Sequence, residues 1–302
     1  MENAVAIKER INSVTETKKV TDAMYMISSV KMRRAFSELS SSELYFASLK
    51  EEICKLVANL PDTDNRYFHI PPPEEGKHMQ HGLLLITSDK GLAGGYNQTA
   101  LNEAVRFAKR HERNRVFIIG EFGRQHFLRN KLPFVSDFKY SAAYPTIPEA
   151  QMICAELLDY FNSGELDEIQ IIYTDYINGK SDVLRRNILL PLKKNTFSSE
   201  VVSGIDAGEE IEFSPDPETV LNGIIPPYLA GFIYSSLVNS FCSEQAARME
   251  AMSTAGKNAD DMLKELKTQY NSVRQAAVTR EITEITAGAK ALRGKRRKEQ
   301  NG

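Results

Sequence analysis

Tryptophan is missing from this chain of 302 residues, and cysteine and histidine are scarce, at three and five. Cys54, Cys154 and Cys242 lie far apart, form no CxxC pair and leave an odd count. That pattern argues against a disulfide framework and for a reducing, cytosolic setting. The histidines His69, His78, His81, His111 and His126 sit in loop-like or polar stretches, and none belongs to HExxH or a zinc-spaced grid. No metal or other cofactor is expected. The most apolar stretch, Tyr228 to Phe241, is interrupted by Ser235, Ser236, Asn239 and Ser240, and it falls short of the ~20 residues that span a bilayer. The chain is not expected to cross a membrane. Charges at Glu2, Lys8, Glu9 and Arg10 stand where a signal peptide would be apolar, so export is not expected either. Basic and acidic residues nearly cancel, 38 against 40, which favours neither nucleic acid nor an anionic membrane as partner.

Proline is absent before Pro61 and after Pro227. Since proline costs a helix interior ~3 kcal/mol, both ends are free to form long helices. At the N-terminal end Ile7, Ile11 and Val14 are spaced four then three, and Val20, Met24 and Ile27 repeat the spacing on a shifted face. A second apolar set, Leu44, Leu49, Ile53, Leu56 and Leu60, continues it. At the other end Leu263, Leu266, Tyr270, Val273 and Ala277 form one stripe, and Val278, Ile282, Ile285, Ala289 and Leu292 resume it one residue out of step. The spacing fits two long helices wound round each other with an imperfect heptad, the C-terminal one starting near Tyr228. The alternative is that each end breaks into two or three helices of a bundle. The basic end, Gly294 to Lys298, reads as a frayed tail.

Between the ends the pattern changes. Gly82 to Ser88, Val116 to Ile119, Glu168 to Thr174 and Arg186 to Leu190 are short apolar runs rich in branched residues, the mark of strands. Helical patterns at Ala100 to Lys109, Phe122 to Arg129 and Pro148 to Phe161 alternate with them, implying an α/β domain with a mostly parallel sheet. Residues 193–218 are polar, with one alternating piece at Glu210 to Phe213 that suggests an edge strand. The boundaries that follow are 1–60, 78–218 and 219–302.

Asp89-Lys-Gly-Leu-Ala-Gly-Gly-Tyr-Asn97 follows a strand and precedes a helix, where α/β folds cradle phosphates. Gly91, Gly94 and Gly95 match neither GxxxxGK[ST] nor GxGxxG. The competing interpretation is a tight turn with glycines at positive φ and Asn97 capping the next helix. Ser88 and Cys242 lack the surroundings of a covalent nucleophile. In Ser243 to Met252, SEQAARMEAM, alanines and methionines alternate with charge, fitting either close helix packing or a face that adapts to several partners. Lys18-Lys19, Lys31 with Arg33-Arg34, and Arg274-Gln275 are solvated helix faces or grips for an acidic partner.

Ile7 to Val14, Val20 to Met26 and Lys31 to Ala35 together resemble the N-terminal signature of F-type ATP synthase gamma subunits. The segments SEQAARMEAM, Tyr270 to Thr279 and Glu281 to Gly288 resemble that family's C-terminal helix. Thr87 to Gly95 and Ile188 to Leu192 are similar to its α/β segments, so the resemblance covers nearly the whole chain. It implies a fold of α/β class: a long antiparallel coiled coil of the N- and C-terminal helices plus a central Rossmann-like α/β domain. The implied role is a non-catalytic rotary central stalk of the F-type ATP synthase. Implied partners are the alpha and beta subunits of the hexamer, the epsilon subunit and the ring of c subunits, at the cytoplasmic face of a bacterial plasma membrane. By the same resemblance Arg274, Gln275 and Thr279 match positions that bond beta-subunit loops, and Lys19, Met24 and Lys90 match positions facing beta's acidic lever. The chain departs from the family at Asp22, where a basic residue is usual, at the bulkier Tyr25 to Val30, and in its extension from Leu292 to Lys298. A scaffolding paralogue and a nucleotide-dependent α/β enzyme with helical extensions are the competing functions.

Overall fold

The computed structural model describes residues 4–59, 65–68, 79–177, 180–193, 197, 214 and 216–299. Leu60, His69, His78 and the edge strand expected at Glu210 to Phe213 lie outside them. In order come α1 (Ala4–Asn59), β1 (His81–Ile86), α2 (Tyr96–Arg110), β2 (Asn114–Ile119), α3 (Glu121–Arg129), α4 (Ile147–Asn162), β3 (Glu168–Ile177), β4 (Lys180–Leu190) and α5 (Pro217–Glu299). Each end is thus one continuous helix, not the bundle of shorter helices left open above. The chain divides into two compact units, Ile27–Ala251 on one side and Met1–Met26 with Met252–Gly302 on the other.

In the unit Ile27–Ala251 the sheet order is β2-β1-β3-β4. β1 pairs in parallel with β2 from His81↔Asn114 and with β3 from His81↔Glu168, while β3 and β4 are antiparallel. The step from β1 to β2 and the return from β2 to β3 run in opposite directions across the sheet. The helices α2 and α4 accordingly cover opposite faces, while α3, at the start of the return from β2, shares the face of α2 through Phe127. Alternation along β1 sorts the core accordingly. Leu83 and Leu85 pack with Leu101, Ala104 and Phe107 of α2. Leu84 and Ile86 belong to the larger core with Ile153 and Leu157 of α4, Ile53 and Leu56 of α1, and Leu229, Ile233 and Leu237 of α5. Where α1 and α5 approach within this unit, a Cβ on Gly231 would stand only 2.0 Å from the Phe46 ring. Glycine is what lets the ring lie on the helix backbone.

α5 begins eleven residues before the start expected near Tyr228, with Pro226 and Pro227 inside it. The missed signal is an N-cap. Asp216 accepts from the Thr219 backbone N–H at 2.9 Å and from its hydroxyl at 2.7 Å, and Pro217 sits at the first helical position, where a missing N–H costs nothing. Those hydrogen bonds also hold the Asp216 carboxyl below its usual range. The helix runs to Glu299, so the basic end is helical and not frayed. α5 also holds a window apolar enough to cross a membrane by composition, half of it buried within the protein.

The unit made of Met1–Met26 and Met252–Gly302 is an antiparallel helix pair. Lys18 Nζ meets Asp260 at 2.6 Å, and Asp22 lies beside Gly256, so a step forward along α1 is a step back along α5. On α1 the inward residues are Ile7, Ile11, Val14, Lys18 and Thr21, a strict four-three heptad. The expected shift to Val20, Met24 and Ile27 does not occur. Val20 and Ile27 are exposed at 58 and 55% and Met24 is half-buried, because the register set by Ile7 carries Thr21 inward instead. On α5 the matching stripe is Met252, Gly256, Ala259, Leu263, Leu266, Tyr270 and Val273. At this pairing Ala4 lies level with about residue 274, and every residue from Arg274 to Lys290 is exposed. The offset near Ala277 therefore marks the end of pairing, not a slip within it: Ala277, Val278, Ile282 and Ile285 all face outward.

Candidate functional site

Two motifs singled out in the sequence meet in the unit Ile27–Ala251. The turn between β1 and α2 lies at the carboxyl ends of β1 and β3, the crevice where doubly wound sheets bind nucleotides. Here α5 occupies it. Arg248 of the SEQAARMEAM segment donates to the carbonyl oxygens of Lys90 and Gly91 at 3.3 and 3.1 Å and pairs with Glu244 one helical turn away at 2.6 Å. Both side chains are buried, at 9 and 8% exposure. Burial pushes the Glu244 carboxyl up from its ordinary value, and the Arg248 charge opposes that rise. Ser240 of α5 accepts from the Thr174 N–H of β3 at 3.1 Å, and Tyr96 of α2 is buried beside them.

The turn's own bracing differs from the expected cap. Asn97 lies inside α2, whose N-cap is Gly95 without a side-chain bond. Its side chain reaches back instead, accepting from the Ser88 N–H at 3.0 Å and donating to Ser88 Oγ at 2.7 Å. Positive φ falls on Leu92 (64°) and Gly94 (55°) and not on Gly91 or Gly95. Holding a leucine in that region costs on the order of 1 kcal/mol or more, and its side chain is 66% exposed.

Asp89 supplies the anion that the start of α3 invites. Its carboxylate accepts from the Glu121 N–H at 3.1 Å, the Ala142 and Ala143 N–H groups at 3.1 and 3.0 Å, and the Ser141 hydroxyl at 2.5 Å. Asp89→Ala leaves those donors to water and is expected to cost about 2 kcal/mol. A urea titration that showed no change in midpoint would contradict this. Ser88 is buried and its Oγ donates to the Lys90 carbonyl at 2.8 Å; the Cys242 thiol is pushed up to about 12 by burial. Neither is poised as a nucleophile.

The residues drawn from family resemblance do not converge on one place. Arg274, Gln275 and Thr279 are exposed on the unpaired part of α5, where Thr279 Oγ1 donates back to the Gln275 carbonyl at 2.8 Å. Lys19 is exposed and paired with Glu16 of its own helix at 2.8 Å. Met24 is half-buried on α1, and Lys90 is exposed on the turn that Arg248 holds. Asp22 turns toward Gly256 and raises the Lys18 ammonium's affinity for its proton, behind the larger effect of Asp260, so it serves the helix pair. Sequence reasoning missed Glu244, Arg248 and Asp89 as a working set. The four-residue spacing of Glu244 and Arg248 signals an ion pair, but nothing local signals its burial.

A doubly wound domain with one of two very long helices laid across its crevice defines the class, an α/β protein with long helical ends. Comparison narrows the class. The model of the ATP synthase family matches residues 3–292. The ATP synthase gamma chain of Ruminiclostridium cellulolyticum is 36% identical over 96% of this chain and 99% of its own, and that of Caldicellulosiruptor saccharolyticus 37% identical over 95 and 98%. Among solved structures, the central stalk of the Tetrahymena thermophila mitochondrial ATP synthase matches with a TM-score of 0.56 at 25% identity, covering 78% of this chain and 99% of that one. A chain of the Euglena gracilis mitochondrial ATP synthase OSCP/F1/c-ring structure shares the fold, with a TM-score of 0.64 at 15% identity over 96 and 94%. The chain belongs to the ATP synthase gamma-chain family, and its role is that of the family's rotary central stalk.

Proposed function

We propose that this chain turns inside an alpha/beta hexamer as a non-catalytic shaft, transmitting torque between a ring of c subunits and the nucleotide sites of beta, with epsilon bound near its α/β domain. The complex sits at the cytoplasmic face of a bacterial plasma membrane. The observation that carries the proposal is the stretch of α5 from Arg274 to Lys290, where every residue is exposed and no helix lies across from it among the described residues. In a free protein such a stretch gains nothing from tertiary packing; inside a sleeve of partner subunits it is the part that reaches furthest.

Arg274, Gln275 and Thr279 are the proposed contacts to beta on this stretch, and Lys19, Met24 and Lys90 the others. Contacts remade on every turn suit polar interactions of about 1 kcal/mol each. Co-purification with alpha and beta subunits tests the assembly, and failure to form that complex would leave only the scaffolding reading. In the assembled complex, Arg274→Glu with Lys90→Glu is expected to keep ATP hydrolysis while lowering ATP-driven ion pumping by about 10-fold, the effect of one to two lost polar contacts. Unchanged pumping would remove both residues from the coupling path.

A further inference from the structure

At the end of the strands opposite the Arg248 crevice, two histidine rings lie against each other, tilted at 45°. His81 opens β1 and His111 follows the last turn of α2; their ring centroids are 4.0 Å apart, and His111 also lies 4.6 Å from the Phe107 ring. His81 Nδ1 stands 3.4 Å from Glu168 at the start of β3. His111 Nε2 is buried with no hydrogen-bond partner among the described residues. We infer that His81, His111 and Glu168 form an acid-sensitive clasp that closes this end of the sheet near neutral pH and loosens when His111 takes up a proton.

The charges around His111 make the direction clear. Its own helix brings Arg110, β1 brings His81, β4 brings Arg186 and β3 brings Glu168; Glu112 and Arg113 follow in the turn. The one carboxylate facing the pair, Glu168, is already shared with His81 and with Gln170. Arg186 is held by Gln170 and Glu103 and leans over the Phe107 ring, so it cannot swing away freely. A second proton therefore adds a cation beside cations, and a buried N–H that lacks an acceptor. Burial first, and then the neighbouring His81, lower the imidazole's affinity for its proton. The unfolded chain keeps the ordinary value of about 6.5. Closure is then complete above that value and declines as pH falls below it, because the open form binds the extra proton. The strands pinned there, β1, β2 and β3, carry the core against which α1 and α5 pack.

The test is amide hydrogen exchange on the full chain between pH 7.5 and 5.5, corrected for intrinsic rates. Protection at Leu83 and Val116 is expected to fall about 10-fold, roughly one proton's worth of linkage. His111→Phe keeps the ring stacking and should remove the pH dependence, while His126→Gln on α3 should leave it intact. Should His111→Phe not fold, NMR titration of the wild-type His111 ring serves, with a midpoint below the ordinary imidazole value of about 6.5 expected. Glu168→Gln should lower that midpoint further. PH-independent protection in the wild type, or a pH dependence that survives in His111→Phe, would overturn the inference. So would a His111 midpoint above the ordinary value of about 6.5, as expected if the charged ring found the equally unpartnered Asn114 Oδ1. None of these outcomes depends on assembly with other subunits.

Discussion

Arg248→Met is expected to destabilise the unit Ile27–Ala251 by about 3–5 kcal/mol, the cost of leaving a buried charge without its partner. Methionine fills much of the space but strands the Glu244 carboxylate and frees the Lys90 and Gly91 carbonyls, which Arg248 now satisfies at 3.3 and 3.1 Å. The loss should depend on pH in a stated direction. Glu244 is already raised by burial, and removing the cation raises it further, so below the resulting value the carboxyl is neutral and the penalty shrinks. Chemical denaturation at pH 8 and pH 5 should therefore give a smaller deficit at pH 5. The double variant Arg248→Met with Glu244→Leu should recover most of the loss, since a well-packed apolar pair often replaces a buried ion pair at little cost. If the double variant were as unstable as the single one, the stranded charge would not be the cause. Because the same guanidinium fixes the turn that presents Lys90, the single variant also ties the stability of α5 to the proposed grip on beta.

Gly120→Ala has an expected cost of about 3 kcal/mol or more, from two sources acting together. Gly120 sits between β2 and α3 at φ 93° and ψ 134°, a conformation that side chains other than glycine avoid. A Cβ there would also stand 2.2 Å from the Thr87 carbonyl oxygen and 2.8 Å from that of Ser88. Those atoms are backbone and cannot move aside: the Thr87 N–H is bonded to Ile119 at 2.9 Å, and the Ser88 carbonyl accepts from Phe122 at 3.0 Å. Relief would have to come from separating β1 from β2. A melting temperature within a few degrees of wild type would show that the turn can reorganise. Gly94→Ala is the informative contrast. It shares a positive φ of 55° but meets nothing within 4 Å, so only the backbone term of about 1 kcal/mol remains.

Much of the architecture was legible along the chain because it follows from local rules. Proline at ~3 kcal/mol per helix interior clears both ends for helix, and short branched runs separated by helical periods specify a covered parallel sheet. All four strands and three intervening helices fall where these rules place them, with ends shifted by a few residues. The start of α5 was legible too, in Asp216, Pro217 and Thr219, but the polar surroundings of that signal hid it.

The heptad of the helix pair was not legible from hydrophobicity. Val20 and Ile27 outweigh Thr21 and Ser28 in any apolar count, yet Thr21 and Ser28 are buried at 9 and 2%. The reason is mechanical and acts in each unit separately: in the helix pair the seam set by Ile7 turns Thr21 inward, and in the unit Ile27–Ala251 the seam set by Ala35 and Leu39 turns Ser28 inward. Likewise the apolar stripe from Val278 onward looks like more seam, yet Val278, Ile282 and Ile285 are exposed, with no helix across from them among the described residues.

By itself, then, the sequence determined that both ends are helical, the α/β domain between them and the family motifs, since each rests on spacing within one segment; that each end is one continuous helix was decided by the structure. Tertiary structure decided what the glycine-rich turn is for. Whether Asp89-Lys-Gly-Leu-Ala-Gly-Gly receives a phosphate or a piece of its own chain depends on a side chain 158 positions away. Arg248 reaches that turn because α5 passes across the ends of β1 and β3 in a covered core, where an arginine paired with Glu244 and two carbonyls is stable and an unpaired one would not be.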